Sequence, residues 1–360
     1  MLNQLNFTKM KKTIQILIVL PTIAMLLSLV SCTKKSSSYE DKLMASDDPD
    51  VVCIKGILHF SSGESFYKVV NQLISMNENE RKAWEQRLGF KSQYSLVDEV
   101  FSELENVTTK EAMTDILDRN NDILLINSNN EIIPKVSTDQ YARIINRQGY
   151  FYVGRILHKA TDDFIYIAKI EGENELDSYL KEGEKSNKIF IVSYRADQNT
   201  KLDYGSNQEA TYIDDNRMVK MYMTTYKSVT WDGYYWYCQD YVAWTLKGFK
   251  KILGIWNSYK TLYTYKDVSF VVKAMYDVYY EDYDYHMEEP LYVNLGGNYP
   301  GPVSTTVESK SITWIVPIGD AIQSSYVHYP DSLDAPYFVS VSGKAQSRGT
   351  ESGWAIIYCP

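Results

Sequence analysis

Cysteine and histidine are scarce in this chain, with four residues of each among 360. The cysteines show neither the CxxC spacing nor the Cys/His spacing of a zinc site. Four histidines leave little room for histidine-based metal centres or catalytic triads. The GxSxG, HExxH, P-loop and GxGxxG motifs are also missing, so the sequence indicates no cofactor, no metal and no particular reaction.

An excess of basic residues is missing as well. The 37 Lys and Arg residues face 46 Asp and Glu residues, which gives a formal charge of −9. Phosphate contacts need a basic stripe, so this composition argues against nucleic acid as a partner. It also disfavours electrostatic attachment to anionic lipid.

The first 32 residues have the layout of a secretory signal. A cationic start at positions 9–12 precedes an apolar run from Ile14 to Val30, and the small residue Ser31 follows it. The tetrapeptide Leu29-Val30-Ser31-Cys32 resembles the lipobox of bacterial lipoproteins, which are cleaved before the cysteine and lipidated on it. The resemblance implies a signal peptide at residues 1–31, lipidation of Cys32 and attachment to the membrane through the lipid.

Two alternatives for this segment are an uncleaved membrane helix and simple cleaved secretion. The apolar run is about 17 residues long, at the lower limit for a spanning helix. Pro21 and the cysteine at the end of the run also fit poorly with a permanent span. Cleavage before Cys32 would leave 34 basic and 46 acidic residues, a formal charge of −12.

The chain after Cys32 divides into a tether and two predicted domains. Residues 32–50 are polar and charged, which is typical of a flexible tether. Residues 51–205 predict an α+β domain. Its helices lie between about 61 and 120, with capping-box spacing at Ser61/Glu64 and Asn77/Glu80 and further starts at Ser95 and Thr108. A short helix is predicted near 138–146, and strands are predicted at 51–60, 123–126, 150–158, 164–170 and 188–194.

From about position 206 onward there is hardly a helical signal. Long strands are predicted at 217–227, 235–246, 256–265 and 268–280, and shorter ones near 312–316, 336–342 and 353–358. The fold class is therefore α+β. An N-terminal helical and hairpin module (51–205) is followed by a mainly antiparallel, β-sandwich-like domain (206–360) of Ig-like or jelly-roll type, with the boundary near 198–212.

In outline, this arrangement behind a lipobox resembles uncharacterised surface lipoproteins of Gram-negative bacteria. The resemblance implies a location in the envelope and no known chemistry. Thr33 does not resemble a signal for retention in the inner membrane, so we expect lipid anchoring at the outer membrane, on its periplasmic side or at the cell surface.

Tyrosine is the compositional outlier, with 31 residues. Strand alternation in Tyr235–Leu246 places Val242, Trp244 and Leu246 on an apolar face and tyrosines on the other face. If the strand at 256–265 were its neighbour, six tyrosines would form one wet platform suited to a glycan or a protein partner. These predicted ligand-binding residues are Tyr235, Tyr237, Tyr241, Tyr259, Tyr263 and Tyr265. The alternative is that tyrosines simply cover an amphipathic sheet.

Acidic residues supply weaker candidates. In an extended chain Asp282, Asp284, His286 and Glu288 share a face and could ligate a hard cation, although a solvated loop explains this stretch better. Paired carboxylates would serve glycoside hydrolysis, but no pair stands out among 46 acids. Asp240 stands alone on the apolar face of its strand, where burial raises a carboxyl pKa; a backbone or arginine partner is expected there.

Three cysteines remain after lipidation, so a monomer forms at most one disulfide. Cys238 with Cys359 is one pairing, and three buried thiols, including Cys53, are the alternative.

Three functions stay open from the sequence. The first is non-catalytic binding of a glycan or an envelope protein by a lipid-anchored protein. The second is a glycoside hydrolase or peptidase with unidentified carboxylates. The third is a structural or assembly lipoprotein.

Overall fold

The computed structural model describes residues 49–359 with internal gaps. The gaps are positions 137, 162–163, 170–172, 183–187, 194–206, 281–282, 294–302, 305–309 and 325–336. The predicted signal peptide, Cys32 and most of the predicted tether lie outside the described residues.

The described chain begins with a hairpin where the sequence predicts one strand. Strands β1 (Val51–Ile54) and β2 (Ile57–Phe60) pair antiparallel. The turn residues Lys55 and Gly56 both have positive φ, 53° and 80°. Positive φ at both turn positions is the geometry of a type I′ turn, whose twist matches that of antiparallel strands. The turn therefore divides the predicted strand in two.

The first sheet has six strands in the order β1-β2-β5-β6-β7-β8. Its β2–β5 pair is parallel and the other pairs are antiparallel. The predicted strands at 164–170 and 188–194 are confirmed, whereas the predicted strand at 150–158 is a hairpin. The later strands are β5 (Tyr150–Val153), β6 (Ile156–Ala160), β7 (Phe164–Ala168) and β8 (Ile189–Ser193).

Six helices are described, four of them in the predicted region. The capping box of Asn77 and Glu80 is present, and Gly89, with φ 64°, ends that helix in the left-handed conformation. The helix after β7 was not predicted, because its sequence is mostly polar; its apolar residues Leu176, Tyr179 and Leu180 pack on the first sheet. The helices are α1 (Gly63–Ser75), α2 (Glu78–Leu88), α3 (Gln93–Leu104), α4 (Lys110–Arg119), α5 (Asp139–Ala142) and α6 (Glu173–Glu182).

Three helices begin one to three residues away from the predicted caps. Ser62, Ser92 and Thr109 are the N-caps, and each accepts a hydrogen bond from the backbone N–H three residues later. The predicted caps were Ser61, Ser95 and Thr108. Neighbouring hydroxyl residues are equally good caps, so local sequence does not choose between them.

The second half of the described chain forms two five-stranded antiparallel sheets. One has the order β12-β11-β10-β9, with β16 also paired to β11; the other has the order β14-β13-β17-β18, with β15 also paired to β13. A separate two-stranded hairpin, β3 (Leu124–Ile126) and β4 (Ile132–Pro134), precedes them. The strands are β9 (Asn207–Asp214), β10 (Arg217–Trp231), β11 (Trp236–Ile252), β12 (Ile255–Ser258), β13 (Tyr263–Tyr280), β14 (Tyr283–Val293), β15 (Val303–Ser304), β16 (Ser311–Ser324), β17 (Tyr337–Ser347) and β18 (Ala355–Cys359).

The two five-stranded sheets share one hydrophobic core. Trp244 of β11 stacks on Trp314 of β16, with 4.2 Å between ring centroids. Trp244 also forms a T-shaped contact with Tyr265 from the other sheet. The alternation predicted for β11 is confirmed on this side, since Val242, Trp244 and Leu246 all point into this core. The same core contains three residues of β10: Val219, Met221 and Met223.

A second core joins α1, α2, α5 and the first sheet to β10 and β11. The Tyr67 hydroxyl of α1 donates to the Ser228 carbonyl at 2.7 Å. His158 of β6 accepts at Nε2 from the Thr230 hydroxyl at 2.9 Å, and burial lowers the pKa of this histidine to about 3. Asp48–Pro360 form one compact unit. The boundary predicted near 198–212 falls largely in the undescribed positions 194–206 and stays a prediction.

Within the part of the chain that the structure describes, no helix combines the length and apolar character needed to cross a membrane.

Asp240 is buried beside Lys227, which is itself buried. A carboxylate oxygen lies 3.5 Å from the Lys227 ammonium nitrogen. Burial raises the pKa of Asp240 to about 6, although the lysine charge opposes this shift. The expected direction of the pKa shift is confirmed, but the partner is a lysine and not the expected backbone group or arginine.

We expect Asp240→Asn to remove a pH-dependent part of the stability. The pKa of an unfolded aspartate is about 3.9, so between about pH 4 and 6 the folded state binds the proton more tightly. Asp240 therefore contributes on the order of 3 kcal/mol to the free energy of unfolding at low pH. This contribution is lost as the pH rises through about 6. Urea unfolding at each pH measures the difference between wild type and variant, which should fall across that window.

The control is Asp118→Asn, on the exposed side of α4. A wild-type-minus-Asp240→Asn difference that stays constant over the same window would contradict the prediction.

Candidate functional site

The predicted tyrosine face of β11 is covered by α1. Tyr237 and Tyr241 are buried, and of the three predicted residues near the start of β11 only Tyr235, at 43% exposure, is exposed. The Tyr241 hydroxyl donates to the Asn71 side chain at 3.0 Å. Gly63 at the start of α1 lies so close that a Cβ there would come within 2.0 Å of the Tyr237 ring. The helix therefore occupies the place of the expected ligand.

The other three predicted tyrosines do not lie beside these. The predicted strand 256–265 is broken after β12, and Tyr263 and Tyr265 belong to β13 in the other sheet. Tyr263 is fully buried and its hydroxyl donates to the Lys310 carbonyl at 2.7 Å. Tyr259 lies between the two strands and donates to the Arg348 carbonyl. The expectation of one exposed six-tyrosine platform is corrected, because β11 and β13 are not neighbours.

The other sequence candidates are less informative. The side chains of residues 281–289 lie outside the described part, so the acidic stretch stays a prediction. Among the side chains that are described, no three His, Cys, Asp or Glu residues come together to hold a metal ion. Cys53 and Cys238 are free thiols. The Cys238–Cys359 pairing is therefore wrong: Cys238 is buried within the centre of its sheet, and β18 belongs to the other sheet.

One concave site among the described residues is a groove formed by two adjoining cavities of about 430 and 390 Å³. Its floor is one face of β10, β11 and β16. Its walls are α2, α3, the β3–β4 hairpin and α5. Six residues line both cavities and mark their junction: Ile133, Pro134, Asp139, Tyr222, Lys247 and Thr313.

The floor presents a row of hydroxyl groups across three strands. Tyr222, Thr245 and Thr313 stand directly opposite one another in the strand register. Thr245 donates to Thr313 at 3.2 Å. Met221 and Met223, which flank Tyr222 along β10, point into the core on the other face of the sheet. Strand alternation thus separates an apolar face from a hydroxyl-rich face on the same strands.

Two arginines meet the ring of Tyr94 in the wall of the larger cavity. The guanidinium carbons of Arg81 and Arg143 lie 4.6 and 5.1 Å from its centroid. Arg81 is held by Glu85 at 2.6 Å, and Arg143 donates to the Leu73 carbonyl at 2.8 Å. Burial raises the pKa of Tyr94, and the negative charge of Asp139 adds to this effect. The wall is therefore a rigid, charge-stabilised assembly.

A lysine with two carboxylates closes the smaller cavity. Lys220 lies 2.6 Å from Glu131 and 2.8 Å from Glu209. Desolvation lowers the pKa of Lys220, but hydrogen bonds to both carboxylates outweigh it, and the pKa lies above its ordinary value. Glu131 also accepts from the Asn127 amide at 2.9 Å. Both carboxylates are thus already engaged by protein donors.

Lys247 lies at the junction of the two cavities and has a different environment. It is half-buried and its ammonium lies 5.7 Å from the centroid of the Tyr222 ring. Among the described residues it has no carboxylate within ion-pair distance, unlike Lys220 and Lys310. An amine placed in this way is available to a bound molecule.

The groove was not predicted from the sequence, and the reason is physical. The alternation of Lys220, Tyr222 and Thr224 with methionines was a usable signal for the floor. No local signal connects that strand with Arg81 or Asp139, which approach it only through the tertiary fold.

No family model and no curated protein matches the chain. Among solved structures, a DUF4848 family protein from Bacteroides thetaiotaomicron is similar at 14% identity, over 86% of this chain and 100% of that chain, with a TM-score of 0.28.

We expect Glu131→Gln to destabilise the fold far more than Glu209→Gln. The Glu131 side chain is 4% exposed and that of Glu209 is 48% exposed, although both bind Lys220. Removing the buried charge should cost about 3 kcal/mol, and removing the exposed one under about 1 kcal/mol. Denaturant unfolding of the two variants measures both values, and equal losses would contradict the burial argument.

Proposed function

We propose that this chain is a lipid-anchored envelope protein that binds a saccharide in the groove without catalysis. The observation that carries the proposal is the hydroxyl row of Tyr222, Thr245 and Thr313 on the groove floor, beside aromatic and aliphatic walls. Sugars present apolar C–H faces together with many hydroxyls, and such a lining matches both. The cavity volumes fall within the range of about 300–1,000 Å³ that small-molecule sites occupy.

The carboxylates of the groove favour binding over hydrolysis. Glycoside hydrolysis needs one carboxylic acid free to protonate the leaving oxygen and a second carboxylate across the bond. Glu131 and Glu209 share Lys220, Asp98 lies 3.0 Å from the Lys310 ammonium, and Asp139 lies 3.9 Å from a guanidinium nitrogen of Arg143. Carboxylates held by ammonium groups are suited to building the site. A glycoside hydrolase or peptidase remains the alternative activity.

Two further functions from the sequence are kept as alternatives. An envelope protein could place a segment in the same groove, because rigid tyrosines and hydroxyls also suit protein partners. A structural or assembly role would instead use a contiguous apolar surface.

The anchor and the finer architecture belong to the same proposal. Cys32 carries lipid, residues 32–50 form the tether, and the outer membrane is the site of attachment. Several acyl chains give stable anchoring, since each buried methylene contributes about 0.8 kcal/mol. Residues 206–360 form a β-sandwich-type domain behind an N-terminal helical module, and the groove lies between the helices and the sheet that carries β10 and β11.

We expect Tyr222→Ala to abolish saccharide retention and Tyr235→Ala to leave it unchanged. Tyr222 lines both cavities, whereas Tyr235 is exposed at the β10–β11 turn. The full chain in detergent is incubated with a panel of polysaccharides and envelope fractions, and retention and released reducing ends are read from the same tubes. Retention without release is the expected result.

Other outcomes have distinct meanings. Loss of retention in Tyr235→Ala, with Tyr222→Ala unaffected, would show that the ligand binds at the exposed end of β11 and not in the groove. Release of reducing ends would establish hydrolysis and overturn the binding role. Retention only from envelope protein fractions would make the ligand a protein.

We expect Cys32→Ser to move the chain from the membrane fraction to the soluble fraction of a Gram-negative host. The lipid would be lost with its attachment site, and incorporation of labelled palmitate should disappear. Cys53→Ser, in the folded unit, is the control and should keep both. A Cys32→Ser chain that stays in the membrane would support the uncleaved helix instead.

A further inference from the structure

The charges around the groove are distributed unevenly. The larger cavity has more cationic than anionic lining residues, and the smaller cavity has more anionic ones. The cations of the larger cavity are Arg81, Arg143, Lys247, Lys260 and Lys310, and its anions are Glu78, Asp98 and Asp139. The charged residues of the smaller cavity are Glu131, Asp139, Glu209, Lys220 and Lys247.

Ion pairing within the wall leaves two ammonium groups without a carboxylate at ion-pair distance among the described residues: that of Lys260, which is exposed, and that of Lys247, which is half-buried. Glu78 binds Lys82, Asp98 binds Lys310, and Arg81 binds Glu85. Lys260 lies near enough to Glu78 to lower the pKa of that carboxyl, after the larger effect of its hydrogen bond to Lys82. Lys247 has no such carboxylate among the described residues, and it lies where the two cavities meet.

Buried polar atoms in the same wall also lack partners. Arg81 Nη2, Arg143 Nε, Gln93 Oε1 and Asp139 Oδ2 have no hydrogen-bond partner among the described residues, although Asp139 Oδ2 lies 3.9 Å from Arg143 Nη2, at ion-pair distance. Arg81, Gln93 and Arg143 are each more than nine-tenths buried, and all four residues line the larger cavity. Buried polar groups of this kind are costly unless something satisfies them.

We propose that the groove selects a saccharide with a single acidic group, whose negative charge binds at Lys247 in the larger cavity. The neutral, hydroxylated part of the ligand lies over Thr245 and Thr313, towards the smaller cavity. This inference rests on the proposed saccharide binding and adds the class and the orientation of the ligand. The shared chemistry is an anionic sugar substituent, a carboxylate or a sulfate.

The acidic surroundings restrict the number of charges. The protein carries a formal charge of −9, and the smaller cavity holds Glu131, Glu209 and Asp139 against Lys220 and Lys247. A second negative group on the ligand would meet these carboxylates, and like charges brought together are unfavourable. The groove should therefore discriminate against polyanions as well as against neutral sugars.

The test compares disaccharides that differ only in charge. Isothermal titration calorimetry on the full chain in detergent uses a neutral disaccharide, the same disaccharide with one uronic acid, with one sulfate, and with two uronic acids. One acidic group should tighten binding about tenfold over the neutral ligand, the size expected of one charge-assisted hydrogen bond. The di-acid should bind more weakly than the mono-acid. The carboxylate and sulfate ligands identify which substituent the groove prefers.

Two lysine variants make the test specific. Lys247→Met should remove the preference for the mono-acid, so that the neutral and the mono-acid disaccharides bind with similar affinity. Lys250→Met removes the same charge from another half-buried lysine of β11 that does not line either cavity, and it should change nothing. Thermal unfolding of both variants checks that the fold is retained.

The failures are distinguishable. Equal binding of neutral and acidic disaccharides, or a preference that survives in Lys247→Met, overturns this inference and leaves saccharide binding in place. No binding of any disaccharide, together with no retention on the polysaccharide panel, overturns the proposed function itself.

Discussion

The packing of α1 against β11 determines where the rest of the molecule can lie. Tyr67 of the helix bonds the Ser228 carbonyl, and Asn71 receives the hydroxyl of Tyr241. The approach is so close that a side chain at Gly63 would overlap the ring of Tyr237. Since the other face of β10 and β11 is buried against the second sheet, these two strands are covered on both sides. Buried polar groups on them are costly without a protein partner: the Tyr241 hydroxyl has one in Asn71, whereas the Tyr226 hydroxyl has none among the described residues.

The groove exists because this covering is incomplete. The α1 helix covers the end of β11 that carries Tyr237 and Tyr241, and the hydroxyl-rich stretch around Thr245 lies beyond it. There the walls are polar: the Tyr94 ring meets two guanidinium groups, and Lys220 joins Glu131 to Glu209. Ion pairs of this kind hold the walls in place without filling the space above the floor. A rigid wall and an open polar floor are the ingredients of a binding site that is largely formed before its ligand arrives.

Ionic groups have two different roles in this fold. Lys227 and Asp240 are buried together on the face of the sheet that points away from the groove, where removing one partner would leave an isolated charge. The groove charges include buried groups, such as Glu131 and Lys220, and the half-buried Lys247, and their signs differ between its two ends. This acidic protein has a cavity with an excess of cationic lining residues, so the local potential there differs from the overall field of the protein. The local potential governs which ligand charge is accepted.

Several features followed from the sequence alone. The α+β class, the helices between about 61 and 120, the capping box at Asn77 and Glu80, and the apolar face of Val242, Trp244 and Leu246 all depend on short-range patterns, and the structure has them. Periodicity and capping act over a few residues, so a linear reading recovers them. The lipobox around Cys32 is also a local pattern, and it stays a prediction.

Strand neighbours and coverage were decided only by the tertiary structure. Alternation correctly separated the two faces of β11, but it did not show that α1 would bury Tyr237 and Tyr241 or that Tyr263 would belong to another sheet. The groove likewise brings Arg81, Asp139 and Lys247 together from distant parts of the chain. The sequence determined which residues share a strand face, because that depends on a two-residue period. Which faces meet depends on long-range packing, and only the folded chain shows it.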